Sequence, residues 1–215
     1  MDFYNPKTFF SSIDKFGRYS FSNQPPITKW NLARFAESLI PLIDKNEDVA
    51  IKIATESIDN FQNIYESKWL NMMRDKLGLF GEDKNDLKLI NDLLSWMELY
   101  KADYTNTFCY LMKIGSEDKK YKNLDFTNWL KKWKDRILMN KGSREKSITL
   151  MRKNNPIVIP RNHQVEKALE AANNDDLELI NKLLVILKKP YKSQEGIMDY
   201  QKPSSNNNYQ TFCGT

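Results

Sequence analysis

Apolar residues recur at intervals of three and four along most of the chain, and that period predicts helices. Leu32, Phe35, Ala36, Leu39 and Ile43 form one such stripe. The helix that buries it should be capped by Asn23, open at Pro25 and Pro26, and end near Asp44. From about Glu47 to Leu77 the positions Ala50, Ala54, Phe61, Tyr65, Trp69 and Met72 keep helical spacing until Gly78 and Gly81, which predicts one long helix or two stacked ones. A further helix from about Asp86 to Lys101 would bury Leu87, Ile90, Leu94 and Met97. Asp103 to Asn106 supplies capping residues for a short helix through Met112, and Asp125 for one that carries Trp129, Trp133 and Ile137 at intervals of four. Ser143 should start a helix that stops before Pro156, because proline disfavours the α conformation in the residue before it.

Asn155 to Asn162 places two prolines around Ile157, Val158 and Ile159, the composition of an extended connector with an apolar anchor. Two helices are expected beyond it. One holds Val165, Ala168, Leu169 and Ala172; the next is capped near Asn174 or Asp175, holds Leu177, Ile180, Leu184 and Leu187, and is closed by Pro190. At the other end, Phe3, Tyr4, Phe9, Phe10, Phe16, Tyr19 and Phe21 follow no helical period and read as an extended segment pressed on a core. Lys192 to Thr215 is polar. The organisation expected is an extended segment over residues 1–24, a helical body over 25–189 and a largely disordered tail over 190–215, mainly α throughout.

Composition changes this picture little. With 215 residues, 40% hydrophobic and 28% charged, the chain can bury a sizeable core. The formal charge of +5 is the small difference between 33 basic and 28 acidic residues, so no nucleic-acid partner follows from it. The basic stretch from Lys119 to Arg136 is interleaved with Tyr121, Phe126, Trp129 and Trp133, but helical spacing turns the tryptophans inward and the lysines to water. No apolar run approaches the roughly 20 residues that cross a bilayer, so no membrane partner is expected. Two cysteines and no secretory leader pattern fit a reducing, cytoplasmic setting.

No G-x-G-x-x-G or G-x-x-x-x-G-K-[ST] run is present to cradle phosphates, and His163 is the sole histidine, which leaves paired-histidine zinc sites out. A cysteine hydrolase would need Cys109 or Cys213 to meet His163; Cys109 sits in an apolar helical stretch and Cys213 two residues from the last, a poor place to hold a nucleophile in register.

Four separated motifs carry a family resemblance. Gly17-Arg18-Tyr19, Asn23-Gln24-Pro25 and Trp30-Asn31-Leu32 with Arg34 come first. Asp103 to Phe108 reads D-Y-T-N-T-F, and Asn155-Pro156 is followed by Ile159-Pro160-Arg161-Asn162-His163. Last comes Thr211-Phe212-Cys213-Gly214-Thr215. Together they resemble the C-terminal half of the selenoprotein O family of protein adenylyltransferases.

The resemblance implies a protein-kinase-like (pseudokinase) fold, of which this chain would supply the helical C-lobe part and a helical C-terminal extension. The activity implied is transfer of AMP from ATP, with magnesium, to Ser, Thr or Tyr hydroxyls of protein substrates. In the family the phosphate-contacting, metal-binding and base residues all precede the G-R-Y motif, so no catalytic, cofactor-binding or metal residue carries over to this chain. Alone it is expected to be inactive and to bind neither ATP nor Mg, with the missing N-terminal ATP-binding half as its partner; the alternative is a non-catalytic helical interaction module. Cys213 falls where some animal members carry selenocysteine, which makes it a candidate redox residue. The partner cysteine that some bacterial members have before G-R-Y is absent from Phe9 to Asp14. Arg18, Asn23, Trp30 and Arg34 are candidates for structural support of the active site: the arginines as bidentate clamps, Asn23 as a cap, and Trp30 filling a core.

Overall fold

The computed structural model describes residues 2–114, 118–139 and 143–204. Among them the regular structure is helical, and extended backbone pairs only in an isolated bridge between Phe3 and Asp103. The mainly-α expectation holds at that level. Two compact units separate, one of Pro6–Asn71 and a larger one that includes residues 2–5 and 72–204.

In the smaller unit, a turn-rich segment leads into α1 (Gln24–Ile43), α2 (Glu47–Asp59) and most of α3 (Phe61–Lys76). α1 ends at the residue before Asp44, and the Glu47-to-Leu77 pattern resolves into two helices broken at Asn60. Asn46 starts α2 by accepting from the amides of Asp48 and Val49. α1 and α2 pack on each other. The stripe expected to be buried on α1 is not: Leu32 is 39% and Phe35 60% exposed, and the buried side chain of this helix is Ile27. Periodicity shows which residues share a face, but not whether anything in the same unit covers that face.

The larger unit contains the end of α3, then α4 (Asp86–Leu99), α5 (Tyr104–Leu111), α6 (Leu124–Leu138), α7 (Arg144–Asn154), α8 (Asn162–Asn173), α9 (Glu178–Leu187) and the short α10 (Ile197–Gln201). Its core is dense with aromatics: Trp96 lies 4.5 Å from Phe126, and Trp129 stacks on Trp133. Both α6 indoles donate to backbone, Trp129 to Leu89 O at 2.8 Å and Trp133 to Leu77 O at 2.9 Å, which fixes α6 against the helices before it. The predicted inward face of α6 is correct, and Trp129, Trp133 and Ile137 are all buried. On α4 the face is rotated from expectation: Leu87 is 47% exposed, and Leu89, Leu93 and Trp96 go inward beside Ile90 and Met97.

Two helix starts use a neighbour of the expected cap. Asn123, not Asp125, caps α6, and Asp125 accepts from the Tyr100 hydroxyl instead. Asp176, not Asn174 or Asp175, accepts from the first amide of α9. Leu177 and Leu184, expected inside, are 56% and 48% exposed, while Leu183 and Ile186 are buried. α7 begins at Ser143 and stops at Asn154 as Pro156 requires. Gly78 has a left-handed φ of 68°, and a Cβ there would lie 2.7 Å from the Ser147 carbonyl oxygen, so α7 can pack this closely only on glycine. Within the stretch expected to be a tail, Ile197 is buried on α10 and the Gln201 amide donates to Ile157 O at 2.7 Å. Residues 205–215 of that stretch lie outside the described residues.

Candidate functional site

The Gly17-to-Arg34 motif folds onto itself. Asp14 Oδ1 and Oδ2 accept from the Arg18 and Tyr19 amides, each at 2.8 Å, and close a turn in which Gly17 takes a left-handed φ of 69°. A Cβ on Gly17 would also come within 2.9 Å of the Phe9 ring. Asn23 Nδ2 donates to Gly17 O at 2.7 Å and Gln24 Nε2 to Tyr19 O at 2.5 Å. The N-Q of one motif therefore holds the outer carbonyls of the G-R-Y of the other. Asn23 occupies the N-cap position of α1 but its side chain caps nothing. The physical reason lies next to it: Pro25 and Pro26 have no amide hydrogen at the two places an N-cap side chain would reach.

This turn delivers Arg18 to Trp30. The Arg18 guanidinium carbon lies 4.6 Å from the Trp30 ring centroid and that of Arg34, one helical turn on, lies 5.5 Å from it. Trp30, expected in a core, is 48% exposed and serves as the surface on which the two cations rest. Arg34 also pairs with Glu37 at 2.5 Å, whereas Arg18 meets no carboxylate among the described residues. All four residues proposed as supports, Arg18, Asn23, Trp30 and Arg34, thus share one local cluster. Around it, Phe16 is 96%, Phe35 60% and Tyr19 45% exposed.

A second cluster, in the larger unit, joins the motif residues Asp103 and Arg161, for which no site role was expected, to Asp2 and Gln201. Arg161 is 1% exposed, and its Nη1 donates to Asp103 at 2.5 Å and to Asp2 at 2.7 Å. Its Nη2 donates to Gln201 O, Asp103 Oδ1 caps α5, and Asp2 Oδ2 accepts from the Ser204 amide. One guanidinium therefore ties the first residues, α5, the proline-flanked connector and the segment after α10. Burial pushes the Asp103 carboxyl above its usual range against the pull of Arg161. Burial also works upward on Asp2, but the Ser204 amide and Arg161 outweigh it and hold Asp2 below its usual range. An arginine between Ile-Pro and Asn-His in an apolar connector was the available signal for this cluster.

The remaining candidates stay apart. Cys109 is buried, and burial pushes its thiol up to about 12, the reverse of an activated nucleophile. Cys213 lies outside the described residues. Tyr121, Phe126, Trp129 and Trp133 are at most 5% exposed and offer no platform on which nucleic-acid bases could stack. Among the described residues no helix is long and apolar enough to cross a membrane.

The sequence matches the protein adenylyltransferase SelO family over residues 1–188. This chain belongs to that family. It is 58% identical to the protein nucleotidyltransferase YdiU of Pelagibacter ubique over 218 aligned positions, 49% identical to that of Clostridium botulinum over 220 and 46% to that of Nitrosococcus oceani over 219. Each alignment covers 100% of this chain but only 45%, 45% and 44% of the relative. The chain thus spans a little under half the length of these SelO-family relatives.

Among the described residues no three His, Cys, Asp or Glu side chains gather as metal ligands. The most buried carboxylates are already engaged, Asp86 by Arg74 and Arg136, and Asp103 by Arg161.

Proposed function

We propose that this chain is the C-terminal part of an enzyme that transfers AMP from ATP to Ser, Thr or Tyr hydroxyls of cytoplasmic proteins with magnesium, and that it is inactive without the portion that holds ATP. In this reading it supplies the C-lobe part of a pseudokinase fold and its helical extension. The observation that carries the proposal is the family match combined with coverage of 44–45% of each relative. The role proposed for this chain is support. The Arg18–Trp30–Arg34 cluster, ringed by exposed aromatics, offers cations and apolar area to the ATP-holding portion, with Arg18 ready to take a carboxylate in a bidentate contact. Cys213 is proposed as a redox residue.

The test has two steps. Calorimetry with ATP and magnesium, and a labelled-AMP transfer assay, should show neither binding nor transfer by the 215-residue chain. Adding the N-terminal portion of a YdiU relative as a separate chain should give a complex with partial recovery of transfer, lost on Arg18→Glu. Transfer by the chain alone would overturn the support role. A complex that forms but never transfers AMP would favour the non-catalytic interaction module, which the exposed aromatics around Trp30 also suit.

A further inference from the structure

The larger unit holds a cavity of about 380 Å³ lined by the C-terminal end of α5, by α6 and by the start of α7. Its apolar wall includes Leu130, the buried Trp133 and Tyr110, whose ring stacks on Tyr121 at 4.1 Å. The cations lining it are Lys113, Lys134 and Arg144, and among the described residues no carboxylate lines it. All three are exposed, and none is ion-paired among the described residues. In a chain with 28 acidic against 33 basic residues, three cations around an apolar hollow, with no anion among the described residues that line it, is a local departure from the mixed surface.

Lys113 adds a backbone observation. Its φ is 59°, its amide donates to Tyr110 O at 2.9 Å, and the next amide, of Ile114, donates to Cys109 O at 2.8 Å. These are the paired bonds of a helix end at which glycine is strongly favoured, yet a lysine stands there and lines the cavity.

We propose that this cavity docks an acidic segment of another protein, in which carboxylates flank one bulky apolar side chain. The apolar side chain leaves water against Leu130, Trp133 and Tyr110, the kind of anchor that dominates small interfaces. The flanking carboxylates meet Lys113, Lys134 and Arg144, and the planar Arg144 guanidinium can take one of them through two parallel donors. Charge complementarity picks this partner, and the buried indoles argue against single-stranded nucleic acid, which needs exposed rings. The inference is independent of the AMP-transfer reading.

The 215-residue chain is titrated into a short fluorescent peptide with one phenylalanine between glutamates, and anisotropy is read at low and moderate salt. Saturable binding is expected, weaker in salt, and weaker by about tenfold or more for Lys134→Glu/Arg144→Glu, two exposed helical positions whose change should leave the circular dichroism unaltered. Replacing the peptide's phenylalanine by serine should weaken binding by a similar factor. No saturable binding, equal binding by the double variant, or equal binding by the serine peptide overturns the proposal. Tighter binding of a single-stranded oligonucleotide than of the peptide also overturns it.

Discussion

In Pro6–Asn71 the buried apolar side chains are Ile27 and Ala50, while Leu42 is 81% and Phe35 60% exposed on the same helix. In the larger unit Leu77, Ile90, Leu93, Met97 and Phe126 are fully buried and Phe108 is 1% exposed. Both regions have helical apolar stripes, so the presence of a stripe alone does not explain the difference. The larger unit buries much of its pattern internally, around aromatic layers and arginine–carboxylate clusters, while side chains such as Leu99 and Leu138 stay outside. The smaller one displays its pattern, and contiguous exposed apolar surface of this kind marks a place where something else packs.

The sharpest way to break this contrast is to truncate one phenylalanine in each unit. Phe126→Ala removes a fully buried ring that contacts Trp96, Tyr121 and Trp129, and should cost about 3–5 kcal/mol in denaturant unfolding. Phe35→Ala should stay within about 0.5 kcal/mol on the chain alone, because that ring is already mostly in water. Comparable losses at the two sites would mean that α1 is covered and that the proposed support surface is not free.

Arginines give a second, smaller test. Arg161→Ala leaves Asp2 and Asp103 without their common cation, and breaking a buried pair in this way should cost about 3 kcal/mol or somewhat more. Arg18→Ala removes an exposed cation–π contact and should cost less than about 1 kcal/mol. The buried cluster also has a pH signature. Asp2 is held below its ordinary value of 3.8, so its contribution is complete above that pH and is lost as the pH falls through the lowered value. Asp86, held down by Arg136, the Asp83 amide and Arg74 against the effect of burial, behaves in the same sense. Acid unfolding should therefore become shallower in Arg161→Ala, with the Asp86 part remaining. An unchanged acid slope would leave the Ser204 amide, without Arg161, as what holds Asp2 down.

Much of the helical order was legible because apolar spacing and proline positions act locally. The α7 stop before Pro156 and the inward tryptophans of α6 are examples. What was not legible depends on partners distant in sequence. Leu87 faces outward because Leu89, Leu93 and Trp96 find α6, a choice of face that spacing within α4 does not decide. Caps moved by a residue or two wherever Asn or Asp residues competed, as at Asn123 and Asp125. For the candidate site, the four motif residues meet in one local cluster, but in a geometry other than the one expected. Trp30 reads as a core residue from its type alone, and only the positions of Arg18 and Arg34 make it a surface for cations. The Arg161 cluster joins residues up to 202 apart through Asp2 and Ser204, beyond the reach of any local pattern.

The smallest effect expected distinguishes two roles for Asn23. As a cap, Asn23 could be replaced by Ser at little loss, since both accept from helix amides. As the tie observed between α1 and the Gly17 carbonyl, it must donate across 2.7 Å from an amide nitrogen, which a serine hydroxyl on a shorter side chain does not reach. Asn23→Ser and Asn23→Ala should therefore lose a similar amount, about 0.5–1.5 kcal/mol for one hydrogen bond, and should loosen the same turn. Hydrogen exchange at the Arg18 and Tyr19 amides, which Asp14 accepts, is the direct reading, and both should exchange faster in either variant. The consequence reaches Trp30, because Arg18 rests on that ring only while the turn holds its backbone in place. If serine restored protection where alanine did not, the side chain would be working as a cap despite Pro25 and Pro26, and the turn would lose its claim to position Arg18.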